Sequence, residues 1–550
     1  MFELNQRSLF MNRIQIFLSR RGTGILLTLI SIIAINCWQQ ILRNYDNDNV
    51  FSIAAAKNIS EGHGYSIKTA SADDLSKYYY DPLNRWPPGY SWLLVFMHKL
   101  FNTDWIHTSY FLNAIGLTAL VLIFRKMLFQ LEYPEWIVNI TVLYFGFLLH
   151  SFHYSFYSDI FGLLFFLLGL SIILKGIKSE KNMVLMSMLA AFSFGFSTYL
   201  KYLYIPLSLL PIISLFIYGY IVRRKDFQSA AIKGFILLII IIVSLLLFQY
   251  FNSGQSLYIN PSKTGFFPDQ LFGIAPVIPY GLINMLFLNM QLSLLTHFSF
   301  PALHIFWQMV YLCCVVWLFY ISYKLFRFRI FRIKDFRSFY AIQACIFTIV
   351  LFSYLIILSV TKNKHYPDTY FEWVYGQELR YYSVFIVFVM QFIILLFLKQ
   401  EYFFNKTGKI IFRSIVGFIL FIEITHGAYF CFRGIVVEKN YGVRIGADQF
   451  LFKSMELTKK ELAVNKSLVF CSNNYTIANM CSLENVPVFY DLGKLKNPIP
   501  HSLPVTLLIA IDTTVPGTSV PILSNPAVKP DFIFKNVNYY FVNLPKPANF

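Results

Sequence analysis

Two kinds of side chain in this sequence have the type and spacing to do chemistry, separated acids and separated bases. Asp46 and Asp48 stand in Tyr45-Asp46-Asn47-Asp48, just past the first long apolar run. Asp159 closes the aromatic segment His150-Ser151-Phe152-His153-Tyr154-Ser155-Phe156-Tyr157-Ser158-Asp159. Carboxylates so placed suit a general base, and they equally suit caps on the helices that follow, where the helix dipole favours them. Arg85 precedes a Pro87-Pro88 turn, Lys201 lies in Ser197-Thr198-Tyr199-Leu200-Lys201-Tyr202, and Arg380 with Tyr381 lies in Gln377-Glu378-Leu379-Arg380-Tyr381-Tyr382. Three cations can clamp a phosphate, although each alone also suits snorkelling to headgroups. His150 and His153, at i and i+3, read as interfacial hydrogen-bonding groups rather than metal ligands, so no metal is assigned. Glu423 and His426 share a face of the last apolar run and read as a structural pair.

The elements that must position these residues follow from composition. The 550 residues are 57% hydrophobic and only 13% charged, against roughly a quarter charged in a soluble domain. The chain therefore reads as a polytopic membrane protein. A span needs about 20 mainly apolar residues. Eleven segments qualify: 24–42, 106–124, 134–151, 160–174, 183–200, 204–222, 231–250, 303–323, 339–360, 382–398 and 410–431. The first lacks a small-residue cleavage site and reads as a retained span. Lys and Arg number 46 against 28 acids, and 23 of the basic residues fall in short loops that an eleven-span path puts on one side. Basic loops stay cytoplasmic, so the N-terminus is expected inside and the C-terminus outside. The excess of +18 thus records topology, and no nucleic-acid partner is implied.

On this path 1–433 is a transmembrane catalytic domain and 434–550 an extracytoplasmic soluble domain. The outer face carries loops 43–105, 151–159, 251–302 and 361–381, together with all three acids and all three bases. Within loop 43–105, Val50–Ile59 predicts a helix and Ser91–Phe101 an amphipathic one too short to span. In the tail, Gly446–Val464 predicts a helix. The short runs Ser467–Cys471, Val486–Tyr490, Val505–Ile511 and Asn538–Val542 predict strands of a small α/β domain. The fold class is mainly α, a membrane helix bundle with that domain appended. Seven cysteines without a C-x-x-C pair argue against a zinc or thioredoxin-type site. Cys471 and Cys481, outside if the path holds, are expected to form a disulfide.

Asp48, Ala56-Lys57-Asn58-Ile59-Ser60-Glu61-Gly62-His63-Gly64-Tyr65 and Arg85-Trp86-Pro87-Pro88-Gly89-Tyr90 together resemble the first outside loop of GT-C glycosyltransferases. That superfamily includes the protein O-mannosyltransferases (glycosyltransferase family 39) and the aminoarabinose transferases, multi-span enzymes that use polyprenyl-phosphate sugars. The resemblance covers most of the chain, through the order and sidedness of its motifs. It implies a GT-C-type bundle and casts Asp48 as the loop-one acid, with Asp46 in reserve, and Asp159 as the second-loop acid. Arg85, Lys201 and Arg380 take the places of phosphate-contacting bases, with Tyr381 following the last. Two departures bear on acceptor class and metal requirement: no Glu follows Asp48, and Lys stands at 201 in place of Arg.

The implied reaction is inverting transfer of a sugar from a polyprenyl-phosphate donor to a lipid, glycan or protein acceptor on the outer side of the plasma (inner) membrane. Asp48 would be the base, Asp159 would orient sugar or acceptor, and the three cations would hold the leaving phosphate. Such a leaving group needs no metal or other cofactor. Tyr157 and its aromatic neighbours suit stacking on a sugar, or interfacial anchoring. Two alternatives differ in class. An O-antigen polymerase or ligase would place its largest outside loop late in the bundle. A lipid-glycan flippase would show paired halves with broken helices and charges near the midplane, and the sequence shows no such symmetry.

Overall fold

The computed structural model describes residues 13, 15–41, 47–148, 157–180, 182–256, 383–402, 404–441, 448–490, 492, 499–513 and 529–545. From the N-terminus run α1 (Arg21–Ile41), α2 (Asn47–Ser60), β1 (Ser66–Ala70), β2 (Tyr78–Pro82), α3 (Gly89–Phe101) and α4 (Trp105–Gln130). Next come α5 (Glu135–Leu148), α6 (Tyr157–Ser179), α7 (Met183–Leu200), α8 (Tyr204–Ile221) and α9 (Lys225–Ser253). Beyond residue 382 follow α10 (Ser383–Leu398), α11 (Lys406–Tyr441), α12 (Asp448–Val464), β3 (Leu468–Ser472), α13 (Tyr475–Ser482), β4 (Val488–Phe489), β5 (Val505–Asp512), β6 (Phe532–Phe534) and β7 (Val537–Leu544).

Among the described residues, α4, α6, α7, α8, α9 and α11 are long and apolar enough to cross a membrane, and α1 and α5 are shorter apolar helices. Helices stand at nine of the eleven expected spans; 303–323 and 339–360 lie outside the described residues. Several helices outrun their apolar stretch. The 29-residue α9 opens with Lys225-Asp226-Phe227-Gln228, because lysine and glutamine are good helix formers wherever the hydrocarbon ends.

The chain divides into two compact units. The helical unit comprises Met1–Ile41, Asn113–Leu245 and Ile259–Val436. Its helices meet through small residues, as membrane helices do when no water is left to drive association. A Cβ on Gly169 of α6 would sit 2.5 Å from Phe194 of α7, and one on Gly146 of α5 would sit 2.6 Å from Ser31 of α1. Ser193 Oγ donates to the Phe165 carbonyl at 2.9 Å, and Ser31 Oγ to the Val142 carbonyl at 3.1 Å. The apolar residues Ile232, Ile236, Ile240 and Val243 of α9 are exposed, a surface suited to hydrocarbon rather than water.

The mixed unit comprises Leu42–Leu112, Leu246–Tyr258 and Val437–Phe550. Its seven-stranded sheet runs β2-β1-β4-β3-β5-β7-β6. Sequence patterning placed strands in the tail alone, yet β1 and β2 come from the first loop. β1 pairs in parallel with β4, Thr69 opposite Val488. One face carries a core of Ala70, Leu75, Val469, Cys471, Phe489, Leu492, Ile499, Val505, Leu507 and Ile509. On the other, Ser454 of α12 hydrogen-bonds Tyr539 of β7 at 2.6 Å, and α2 packs on α13. Asn474 caps α13, accepting from the Thr476 amide at 2.9 Å.

The expected disulfide is not formed: Cys471 and Cys481 are buried free thiols. The reason is placement. Cys471 belongs to the core on one face, whereas Cys481 bonds Thr458 of α12 on the opposite face. Desolvation pushes Cys471 up to about 12 and raises Cys481 as well, so neither is a ready thiolate.

Candidate functional site

Asp159 lies in the first turn of α6, where the unpaired amides of a helix start favour a carboxylate. Lys201 ends α7 with extended backbone (φ −154°, ψ 130°), its amide still bonded to the Ser197 carbonyl at 3.0 Å. A helix end favours a cation as a helix start favours an anion. Since α6 and α7 are antiparallel neighbours joined by a short link, the start of one lies beside the end of the other. Lys201 Nζ donates to Asp159 Oδ2 at 3.2 Å. The two side chains are 10% and 1% exposed, so this is a buried ion pair.

Its surroundings are built to exclude water. The Tyr204 amide bonds the Lys201 carbonyl at 3.0 Å, which starts α8 one turn on. The Tyr204 ring lies against α6 where Gly162 leaves room: a Cβ there would meet Tyr204 Cε2 at 2.4 Å. Phe166 packs on Tyr204 with ring centroids 5.7 Å apart. A cation fixed by one carboxylate in such a setting stabilises nearby developing negative charge more than a mobile surface lysine does. Asp159 thus makes an ion pair from within the first turn of its helix.

The other predicted residues divide as follows. Arg85, in the mixed unit, is exposed, with its guanidinium 5.0 Å over the Trp86 ring. The turn carrying it is pinned by Tyr65, which donates to the Trp86 carbonyl at 3.0 Å, and by Gln249, which donates to the same oxygen at 3.1 Å. Asp48 is the second residue of α2, and Tyr157 the first of α6. Asp46, His150, His153, Arg380 and Tyr381 lie outside the described residues. Glu423 is fully buried and lies beside Tyr144 of α5, while His426 is half-buried. Among the described residues, no group of three or more His, Cys, Asp and Glu converges to hold a metal.

Sequence reasoning missed the polar braces that tie the first loop to the tail. Lys57, buried on α2, donates to the Leu483 carbonyl at 2.9 Å and to the Asn485 side chain, and pairs with Glu61 at 3.7 Å. Desolvation lowers its pKa. Lys68 reaches the Asn485 carbonyl at 2.8 Å. Asp74 accepts from the Ser502 amide at 3.0 Å and the Ser502 hydroxyl at 2.6 Å. Glu61 is four residues from Lys57, but no spacing in the sequence signals the contacts to the tail, because each partner there is more than 400 residues away.

No family model matches this chain, and no curated protein matches it. Among solved structures it is similar to ArnT from Cupriavidus metallidurans, a crystal structure in the apo state. The TM-score is 0.53 and the identity 11%, over 95% of this chain and 98% of that one. At that identity the likeness is one of fold.

Proposed function

We propose that this chain is an integral-membrane glycosyltransferase of GT-C type. It moves a sugar from a polyprenyl-phosphate donor to an acceptor on the outer side of the membrane. The observation that carries the reading is the ArnT-like fold over nearly the whole chain. The buried Lys201–Asp159 pair, a preset cation, is consistent with an anionic leaving group.

The reaction in this reading is an inverting displacement. An acceptor hydroxyl attacks the anomeric carbon while the bond to the phosphate oxygen breaks, and the phosphate leaves with the bonding electrons. Asp48 takes the hydroxyl proton. Lys201, Arg85 and Arg380 stabilise charge growing on the phosphate. Asp159 acts on Lys201, fixing the position of its ammonium in a dry setting. No step of this scheme calls for a metal, because the leaving group is a monophosphate.

The test is turnover of a radiolabelled polyprenyl-phosphate sugar by full-length protein in nanodiscs. Asp48→Asn removes the proton acceptor with little change of shape, so turnover should fall about 10²–10⁴-fold with donor binding nearly intact. Arg85→Ala should weaken donor binding and turnover together. Activity within a few-fold of wild type for Asp48→Asn would remove that acid from the mechanism. Failure of the wild type to consume any lipid-linked sugar would sink the reading itself.

A further inference from the structure

The mixed unit holds an aromatic cluster that the reaction above does not use. Phe51 of α2 packs on Trp86, tilted by 30°, with centroids 4.9 Å apart. Tyr475, the first residue of α13, stacks on Tyr490, just past β4, at 5.0 Å and 26°. Phe51 lies 6.5 Å from Tyr475 and 6.3 Å from Tyr490, so the four rings form one continuous floor. Two half-exposed groups flank it on β2. Tyr79 and Asp81 point to the same side of the strand, opposite Thr69 and Ile67 of β1. Asp81, Tyr475 and Tyr79 all lie within electrostatic reach of the Tyr490 hydroxyl.

The floor is rigid where it is buried and open where it is not. Tyr490 donates its hydroxyl to Asn479 Oδ1 at 2.7 Å, and Asn479 in turn donates to the Tyr475 carbonyl at 2.8 Å. Phe51 is 8% exposed, whereas Tyr475 is 47% and Tyr79 49% exposed. One face of Tyr475 rests on Tyr490, and about half of the residue remains open to solvent. An open aromatic face beside a carboxylate and tyrosine hydroxyls matches a pyranose ring. The sugar's C–H face lies on the π-system, and its ring hydroxyls donate to the carboxylate. An acyl chain would gain nothing from Asp81. A peptide strand would pair with the free edge of β2, whereas the rings of the floor lie on two helices, a turn and a loop.

We propose that Phe51, Trp86, Tyr475 and Tyr490, rimmed by Tyr79 and Asp81, form a carbohydrate subsite for the acceptor, with a neutral pyranose stacked on Tyr475. The proposal rests on the glycosyltransferase reading and deepens it, because it makes the acceptor a glycan rather than a polypeptide.

The experiment is saturation-transfer NMR on full-length protein in nanodiscs free of glycoside detergent. The probes are chitobiose and cellobiose, free in solution and, in a second arm, attached to a lipid anchor in the disc. Wild type should saturate the ring C–H protons of at least one disaccharide, in the free or the anchored arm, and the stronger arm identifies the source of the acceptor. Tyr475→Ala should weaken binding about 3- to 10-fold, the equivalent of one aromatic stack, while Tyr475→Phe should retain it. Tyr79→Ala, at an exposed edge-strand position, should weaken it less and guards against a folding defect at 475. No transfer to either disaccharide in either arm, or equal binding by wild type and Tyr475→Ala, would overturn the subsite. Donor consumption is measured in the same discs. Donor consumed without disaccharide binding removes the subsite and keeps the enzyme reading. Binding abolished by Tyr475→Ala without any donor consumption keeps the sugar site and removes the enzyme reading.

Discussion

Lys57 and Lys201 are equally hidden from water, 6% and 8% exposed, yet their charges are kept in different ways. Lys201, in the helical unit, faces the buried carboxylate of Asp159 between the ends of two packed helices. Lys57, in the mixed unit, spreads its charge over a backbone carbonyl, an amide oxygen and the partly exposed Glu61. A concentrated pair is costly to break and leaves an uncompensated charge behind. A distributed set loses one contact at a time. The first arrangement holds a cation in a fixed place; the second clips two distant stretches of chain together.

The comparison breaks most sharply at the pair. Asp159→Asn or Lys201→Met alone should cost about 3–5 kcal/mol of stability and abolish sugar transfer. The double variant should regain much of the stability and stay inactive. Thermal melting in nanodiscs, read beside turnover, separates the two roles; a Lys201→Met protein as stable as wild type would mean the pair does not brace the helices.

Lys57→Met keeps the stem packing but leaves three acceptors without their cation, which should cost about 2 kcal/mol. Burial holds the Lys57 ammonium below its ordinary 10.5. Between that lowered value and 10.5 the unfolded chain binds more protons, so the lysine's contribution makes stability rise with pH in this window. Melting curves across alkaline pH should show that slope diminished in Lys57→Met.

A smaller effect is expected at Asp74. Burial disfavours its carboxylate, but hydrogen bonds from Ser502 and Ser76 outweigh that and hold it well below the ordinary 3.8. Its stabilisation is complete above 3.8 and drains away as pH falls through the lowered value. Asp74→Asn should cost about 1–2 kcal/mol at neutral pH, and the gap from wild type should narrow in acid. A gap constant from pH 7 to pH 2 would show that the carboxylate is not the group at work.

These cases also show what a sequence displays and what it hides. Asp159 and Lys201 announce themselves by type, and their meeting follows from two neighbouring helices of similar length joined by a short link. The strands of the tail are visible because their apolar runs are short, β-branched and bounded by Pro, Gly and Asn. β1, Ser66-Ile67-Lys68-Thr69-Ala70, shows no such run, because its burial comes from partners on other stretches of chain. The eight-residue α13 is too short to show a helical period, although Asn474 is a legible cap. Tyr475 and Tyr490 look like ordinary core aromatics until the floor they share with Phe51 is assembled.

The register Thr69–Val488 also sets a clock. About 420 residues separate the partners, and synthesis at roughly 5–20 residues per second puts about 20–80 s between them. Throughout that interval β1 has only β2 and the nearby α2 as partners, with Ala70 lacking its core neighbours from the tail and one strand edge unpaired. A stretch made later thus completes one made much earlier, and a ribosome that stops before β4 leaves an edge open to pairing with another chain.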